Sequence, residues 1–344
     1  MTKRLIGAPI ALSLAAVGLA FGLAGAAQAQ TDIKFTLDWK FQGPTGAFIL
    51  ADDRGYYAEE GLSVTIDSGN GSAGAVTRVA SGAYEMGFAD INALVDFTVQ
   101  NPDQSVKSVM MAYDAPPFSI FTLADKGIDE PGDVVGKTLG APVFDASYKL
   151  FPAFAAQVGF DPEDVPRVNM DPPLRETMLV QGEVDFISGH FFSSMLDLKA
   201  KGVAEEDIKY FLYSDLGLDF YGNSVIASGQ FIEENPDAVA AFVRATIKGY
   251  KDLLVDPEAA VEAVSKRDPL IDKALELERL QIAIDTNILT PTVLEQGMGD
   301  IDVGRMERSI EQLALAYGHE ESVAVDAIWT ADFLPPADER KLND

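Results

Sequence analysis

Strand and helix alternate along this chain in an order that appears twice, and this alternation constrains the fold more than any other feature. The segment Ile33–Leu37 alternates apolar and polar residues, which predicts a strand ending at Asp38-Trp39 and the loop Phe41-Gln42-Gly43-Pro44. A helix is expected over Thr45–Glu60, stopped by Gly61, and a strand over Ser63–Asp67 leads into the loop Ser68-Gly69-Asn70-Gly71-Ser72. A helix over Ala73–Ser81 then passes through Gly82 to a strand over Tyr84–Ala89 that ends at Asp90. The rhythm returns with strands over Lys137–Ala141, Val165–Asn169 and Val184–Ser188, separated by helices over Ser147–Val158 and Leu174–Gln181. Two α/β units with parallel-rich sheets flanked by helices follow from this succession.

Length and order suggest how the units are joined. From Val225 the chain turns helix-rich, with Asn235 capping and Pro236 opening a helix to about Leu254, Asp256-Pro257 starting the next, and more to Tyr317. The expected organisation is therefore a first lobe over residues 30–117, a second over 118–222, and a helix-rich return to the first over 223–344. Crossovers near Pro116–Ser119 and Tyr221–Ser224 would supply two linking strands, and two strands between two lobes make a hinge. Ligands of such sheets sit beyond the carboxyl ends of the strands, which places the cleft between the lobes.

Residues 1–29 read as an export signal. Lys3 and Arg4 precede an apolar stretch from Leu5 to Ala26 and a small-residue cleavage site at Ala27-Gln28-Ala29. The alternative, a retained membrane anchor, fits the many Ala and Gly residues less well. Removing Lys3 and Arg4 leaves 24 basic against 54 acidic side chains, a net charge of −30. Such a field repels nucleic acid and anionic lipid, although acidic residues also simply solubilise a secreted protein. The chain has no cysteine, so a lipid-modified cysteine, a thiolate metal site and a cysteine nucleophile are all excluded. With only His190 and His319, a histidine-rich metal centre has no ligands, and no metal or cofactor is expected. A soluble periplasmic monomer is the expectation.

The candidate ligand contacts lie at strand ends. Trp39 and Phe41 could stack on a flat ring, or Trp39 could pack the seam between lobes. Asp38 could accept from a ring amine or cap the following helix, and the loop ending at Ser72 could point N–H groups at a ligand oxygen or be an ordinary turn. Asp90 and Asn92 offer paired donors and acceptors, unless Asp90 caps a helix over Ile91–Val99. In the second lobe Asp145 and Ser147 sit where a strand passes into a helix, and His190 and Phe191 follow a strand end. Tyr221 is a pocket wall or a packing residue of the hinge. Arg175 is expected on the solvated outer face of its helix; inside the cleft it would pair with a carboxylate or sulfonate.

Leu37-Asp38-Trp39, Gly46-Ala47-Phe48 and Arg54-Gly55-Tyr56-Tyr57-Ala58-Glu59-Glu60-Gly61-Leu62 carry a resemblance, extended by Val79-Ala80-Ser81-Gly82, Met86-Gly87-Phe88-Ala89-Asp90, Gly136-Lys137-Thr138-Leu139-Gly140 and Gly182-Glu183-Val184-Asp185. Together they resemble the family that joins periplasmic nitrate-, sulfonate- and taurine-binding proteins to thiamine-pyrimidine precursor proteins. The resemblance implies a two-lobed, type II periplasmic binding protein that captures a small molecule for the permease and ATPase of an ABC importer. Within that family, Asp38-Trp39 looks closer to the thiamine-precursor branch.

Two ligand classes remain open within the binding reading. Aromatics and carboxylates at strand ends suit a flat, amine-bearing ring such as a hydroxymethylpyrimidine; an alkanesulfonate, taurine or nitrate would be served better by more arginine and hydroxyl groups. A third reading is an enzyme of the pyrimidine-synthase branch, which carries a cysteine-rich iron motif. The export signal and the absence of cysteine argue against it.

Overall fold

The structure, a computed structural model, describes residues 1–2, 30–319 and 322–342, so the expected apolar stretch and cleavage site at residues 3–29 lie outside it. Among the described residues ten strands form two five-stranded sheets. The first is ordered β2-β1-β3-β10-β4, from β1 (Thr31–Thr36), β2 (Leu62–Asp67), β3 (Met86–Asp90), β4 (Val106–Met111) and β10 (Asn223–Ser228). The second is ordered β7-β6-β8-β5-β9, from β5 (Phe118–Leu123), β6 (Leu139–Ala141), β7 (Arg167–Asn169), β8 (Phe186–His190) and β9 (Ile208–Leu212). The chain leaves the first sheet after β4 and returns to it at β10.

Each sheet contains two strands that alternation did not reveal, β4 and β10 in the first and β5 and β9 in the second. β10 runs antiparallel to both β3 and β4, and β5 runs antiparallel to both β8 and β9, so the sheets are mixed. The segment expected to turn helical from Val225 is thus a central strand first. Its core, Val225–Ala227, is fully buried and shows no alternation, because a strand covered on both faces has no polar side to display.

The helices of the first half follow the expected order with one correction. The helix predicted over Thr45–Glu60 is broken into α1 (Gly46–Asp53) and α2 (Tyr56–Glu59), because Gly55 turns left-handed at φ 78°. After these come α3 (Ser72–Ala80) and α4 (Ile91–Gln100). In the second lobe the helix predicted over Ser147–Val158 is likewise split, into α5 (Ala146–Lys149) and α6 (Phe151–Val158). Pro152 has no N–H to continue the ladder. α7 (Arg175–Gln181) and α8 (Phe191–Ala200) complete that lobe.

The C-terminal return supplies α9 (Gly229–Glu234), α10 (Pro236–Val255), α11 (Pro257–Arg267), α12 (Lys273–Ala283), α13 (Pro291–Gln296), α14 (Val303–Tyr317) and α15 (Val325–Ile328). α10 lies against α1 so closely that a Cβ on Gly249 would sit 2.3 Å from the Ala47 carbonyl oxygen. The aromatic centre of the first core lies beneath this contact: Phe35 meets Phe48 and Phe242 at 4.9 Å each, and Tyr57 stacks on Phe242. A second apolar cluster spans from α3 and α4 to α5 and α6, with Phe151, Phe154, Phe186 and Tyr213 at its heart. Among the described residues no helix is long and apolar enough to cross a membrane.

Candidate functional site

The carboxyl ends of the parallel strands from both sheets converge on one cleft between them. β1 delivers Asp38 and Trp39, the turn after β2 delivers Gly71 and Ser72, β6 leads to Asp145 and Ala146, Arg175 opens α7 beyond β7, and β8 ends in His190. Lys40, Gln42, Pro44, Thr45, Tyr113, Phe192 and Ser193 close the remaining walls. Aromatic walls from Trp39, Tyr113 and Phe192 beside convergent polar groups are the kind of lining that suits a small organic molecule. The two sides touch directly: Ala73 N–H donates to the Phe144 carbonyl across the cleft at 3.2 Å.

Asp38 sets the electrostatic character. It is buried, and Asn223 Nδ2 donates to its Oδ2 at 2.7 Å. Among the described residues no basic group pairs with it. Burial pushes its carboxyl up to about 7, although the Asn223 hydrogen bond pulls the other way. A carboxyl poised there can accept from an amine or, when protonated, donate to a ring nitrogen.

Arg175 corrects the expectation of an outer face. It is 1% exposed and lines the cavity. Its Nη1 donates to Asp145 Oδ2 at 3.2 Å, its Nε donates to Glu176 Oε1 at 2.8 Å, and its guanidinium lies 5.0 Å from the Trp39 ring centroid. One positive charge is therefore matched by two carboxylates before any ligand arrives. Burial raises the Asp145 carboxyl, while Arg175 opposes that rise. Lys40, the other cation at the cavity, reaches Asp197 at 2.8 Å.

His190 stands between Phe118 and Phe192, with ring centroids at 5.8 and 5.6 Å. Burial, and then the neighbouring Arg175, push its imidazole down to about 3, so it remains neutral and offers one donor and one acceptor. Trp39 presents one ring face to Arg175. Its indole N–H is buried with no acceptor among the described residues.

The expected contacts divide. Asp38, Trp39, Ser72, Asp145, Arg175 and His190 meet at the cavity. Asp90 and Asn92 do not line it: Asp90 caps α4, accepting from the N–H groups of Asn92 and Ala93, and the Asn92 amide is spent on Asp90 and the Tyr221 carbonyl. Tyr221 is a packing residue rather than a wall. Its hydroxyl accepts from Asp302 N–H at 2.7 Å, and Arg305 covers its ring at 3.9 Å. Phe41 packs against the first core, and Phe191 stacks on Phe121 and packs tilted against Tyr210 instead of lining the cavity. Ser147 is buried behind Ala146, its carbonyl accepting from the Tyr213 hydroxyl.

Sequence reading missed Gln42, Tyr113, Ser193 and Asn223. Gln42 directly follows Phe41 beyond the first strand, and that position is a usable signal. Asn223 carried none, because its partner Asp38 is 185 residues away and only the antiparallel insertion of β10 brings them together. Among the described residues no group of three or more His, Cys, Asp or Glu side chains is arranged to hold a metal ion.

Comparison with known proteins agrees with this architecture. The profile of the family described as NMT1/THI5 like matches residues 44–260, more than half of the chain, and the chain belongs to that family. It is 28% identical over 265 residues to the formylaminopyrimidine-binding protein of Halalkalibacterium halodurans, covering 75% of this chain and 78% of that protein. It is 26% identical over 296 residues to the riboflavin-binding protein RibY of Chloroflexus aurantiacus, covering 84% and 82%. To the 4-amino-5-hydroxymethyl-2-methylpyrimidine phosphate synthase of Schizosaccharomyces pombe it is 25% identical over 234 residues, covering 65% and 66%. Among solved structures, the alkanesulfonate-binding protein SsuA of Xanthomonas axonopodis pv. citri superposes with a TM-score of 0.69 at 13% identity, covering 88% of this chain and 98% of that one. At that identity the likeness is one of fold, the two-lobed periplasmic binding protein fold.

Proposed function

We propose that this member of the NMT1/THI5-like family is a solute-binding protein whose cleft captures a small flat ring bearing an amine, a thiamine-pyrimidine precursor of the hydroxymethylpyrimidine type. The observation that carries the reading is Asp38, a buried carboxyl whose side-chain partners, Asn223 and Ser72, are neutral, with no basic one among the described residues. An aminopyrimidine edge sets an N–H donor beside a ring-nitrogen acceptor, which a carboxyl of intermediate acidity matches in either protonation state. The indole of Trp39 and the ring of Phe192 supply flat apolar walls. The name of the Halalkalibacterium halodurans relative supports the same ligand class.

An alkanesulfonate or nitrate fits these charges less well. Arg175 is already matched by Asp145 and Glu176, and an anion would add to the negative charge there. The reading assigns no chemistry to the site. Lys40 is held by Asp197, and no cysteine exists to build the iron motif that the resemblance associates with synthases.

The role we assign is delivery, in the periplasm and as a monomer, to the permease and ATPase of an ABC importer. Residues 30–117 and 223–344 would form one closing lobe and residues 118–222 the other. The test is a panel of hydroxymethylpyrimidine, formylaminopyrimidine, riboflavin, taurine, longer alkanesulfonates and nitrate, read by thermal shift and by Trp39 fluorescence. A pyrimidine present at about a hundredfold over its Kd is expected to add about 2.7 kcal/mol of stability. Response to a sulfonate or to riboflavin with silence from every pyrimidine overturns the reading.

A further inference from the structure

One guanidinium lies behind the cavity wall without lining it, yet it joins the two lobes. Arg279, on α12, is 1% exposed. Its Nη1 donates to the carbonyls of Phe192 and Ser193 at 2.9 and 2.8 Å, its Nη2 donates to Asp197 Oδ1 at 2.8 Å, and its Nε is shared by the two oxygens of Glu276 at 3.1 and 3.2 Å. The three acceptors on α8 belong to the second lobe. Glu276 belongs to α12, which packs on α11 and on the turn 43–45 of the first lobe.

The attachment continues on both sides. Glu276 Oε2 accepts from Gly43 N–H at 2.7 Å, which fixes the turn that brings Gln42, Pro44 and Thr45 to the cavity. The second oxygen of Asp197 accepts from Lys40 at 2.8 Å, so both its oxygens are held by cations of the opposite lobe. Burial works against the charge on Asp197, but Arg279, Lys40 and Arg175 hold its carboxyl below the usual range.

We propose that Arg279 is the positioning residue of cleft closure, gripping the first turns of α8 when the lobes meet and thereby setting how long a bound molecule stays. The grip lies where Phe192 and Ser193 line the cavity, so closure and the shape of the ligand wall are made by the same bonds. A guanidinium suits the task because its fork can address two carbonyls and two carboxylates at once, whereas an ammonium concentrates three donors at one point. Opening would return the bonds that cross to α8, those to Phe192, Ser193 and Asp197, to water, while the Arg279–Glu276 pair stays within its lobe. Exchange of protein for water hydrogen bonds leaves only a modest net gain per bond, which suits a clasp that must also release.

This inference rests on the cleft being a ligand site, and the test separates the two ideas. Because the chain has no cysteine, single cysteines at Glu258 and Glu206, both exposed and on opposite lobes, can carry a fluorescent donor and acceptor. Single-molecule energy transfer then reads closure without ligand, and stopped-flow with hydroxymethylpyrimidine reads association and dissociation. Arg279→Gln is expected to lower the closed-to-open ratio of the ligand-free protein about tenfold and to raise the dissociation rate about tenfold, with association within about twofold. Arg279→Lys should recover part of both losses. A closed fraction and dissociation rate within about twofold of the unaltered protein overturn the proposal. Should Arg279→Gln fail to fold, Asp197→Asn decides: about a threefold loss of closure is expected, and none overturns the proposal. If hydroxymethylpyrimidine does not bind but Arg279→Gln still opens the ligand-free protein, the clasp stands and the ligand assignment falls.

Discussion

Replacing Asp38 by Asn separates what this carboxyl contributes to recognition from what it costs the fold. In the folded protein Asp38 titrates at about 7, against an ordinary 3.8. Since the folded value is the higher one, folding favours the protonated acid. That stabilisation is complete below pH 3.8 and lost as pH rises through about 7. The full difference corresponds to about 4 kcal/mol, of which about 2–3 kcal/mol falls between pH 5 and pH 8. Asn is neutral throughout, and its side-chain oxygen still accepts from Asn223. The melting temperature of the unaltered protein should therefore fall by about 4–5 °C more than that of Asp38→Asn over the same interval. Asp90 also lies near 7, raised chiefly by burial, and only the small part of that rise due to the Asp38 charge differs between the two proteins. The assay is thermal unfolding by circular dichroism at both pH values without ligand. Melting temperatures that move in parallel within about 1 °C would refute the reasoning. In the same variant, binding of hydroxymethylpyrimidine should weaken at least about tenfold, the loss expected when a charged hydrogen-bond partner goes.

Further expectations concern other parts of the structure. His190 is held neutral at about 3, below its ordinary 6.5, so its stabilisation is present above pH 6.5 and lost as pH falls through about 3. His190→Gln should reduce the destabilisation between pH 7 and pH 5 by about 1 kcal/mol, discounted for water in the cavity, as measured by urea unfolding at both values. A Cβ on Gly71 would meet the Phe144 carbonyl of the opposite lobe at 2.2 Å. Gly71→Ala should thus hinder closure and weaken ligand binding at least about tenfold by calorimetry. Gly249→Ala should lower stability by about 1–3 kcal/mol in chemical denaturation, because its new methyl group collides with α1. Of the two tryptophans, Trp329 is buried far along the chain and only Trp39 lines the cavity, so Trp39→Phe should abolish the ligand-induced fluorescence change.

The parallel units were legible because each strand is followed by turn residues and a helix. The rule that ligands sit beyond strand ends pointed to Asp38, Ser72, Asp145 and His190, and these residues line the cavity. The antiparallel strands were not legible in the same way. Phe118–Leu123 and Val106–Met111 are short, mostly buried runs without clear alternation, and periodicity cannot distinguish such a run from a helix segment. Arg175 opens its helix after Pro172 and Pro173, and position in a first turn does not reveal which face will be covered. Its burial follows from Asp145 and Glu176, whose carboxylates make a guanidinium acceptable there. Asp90 was ambiguous by sequence because a strand-end aspartate before a helix can meet a ligand or cap the helix; here both of its oxygens cap.

The insertion of β10 between β3 and β4 also orders the assembly of the molecule in time. β4 is an edge strand whose neighbour in the sheet is β10, so residues 106–111 have no strand to pair with until residues 223–228 exist. All strands of the second sheet, by contrast, lie within residues 118–212. A polypeptide made from its amino terminus can therefore complete the inserted half while the outer half still lacks a central member. Distant pairings form slowly, so the outer half is expected to finish after the inserted one.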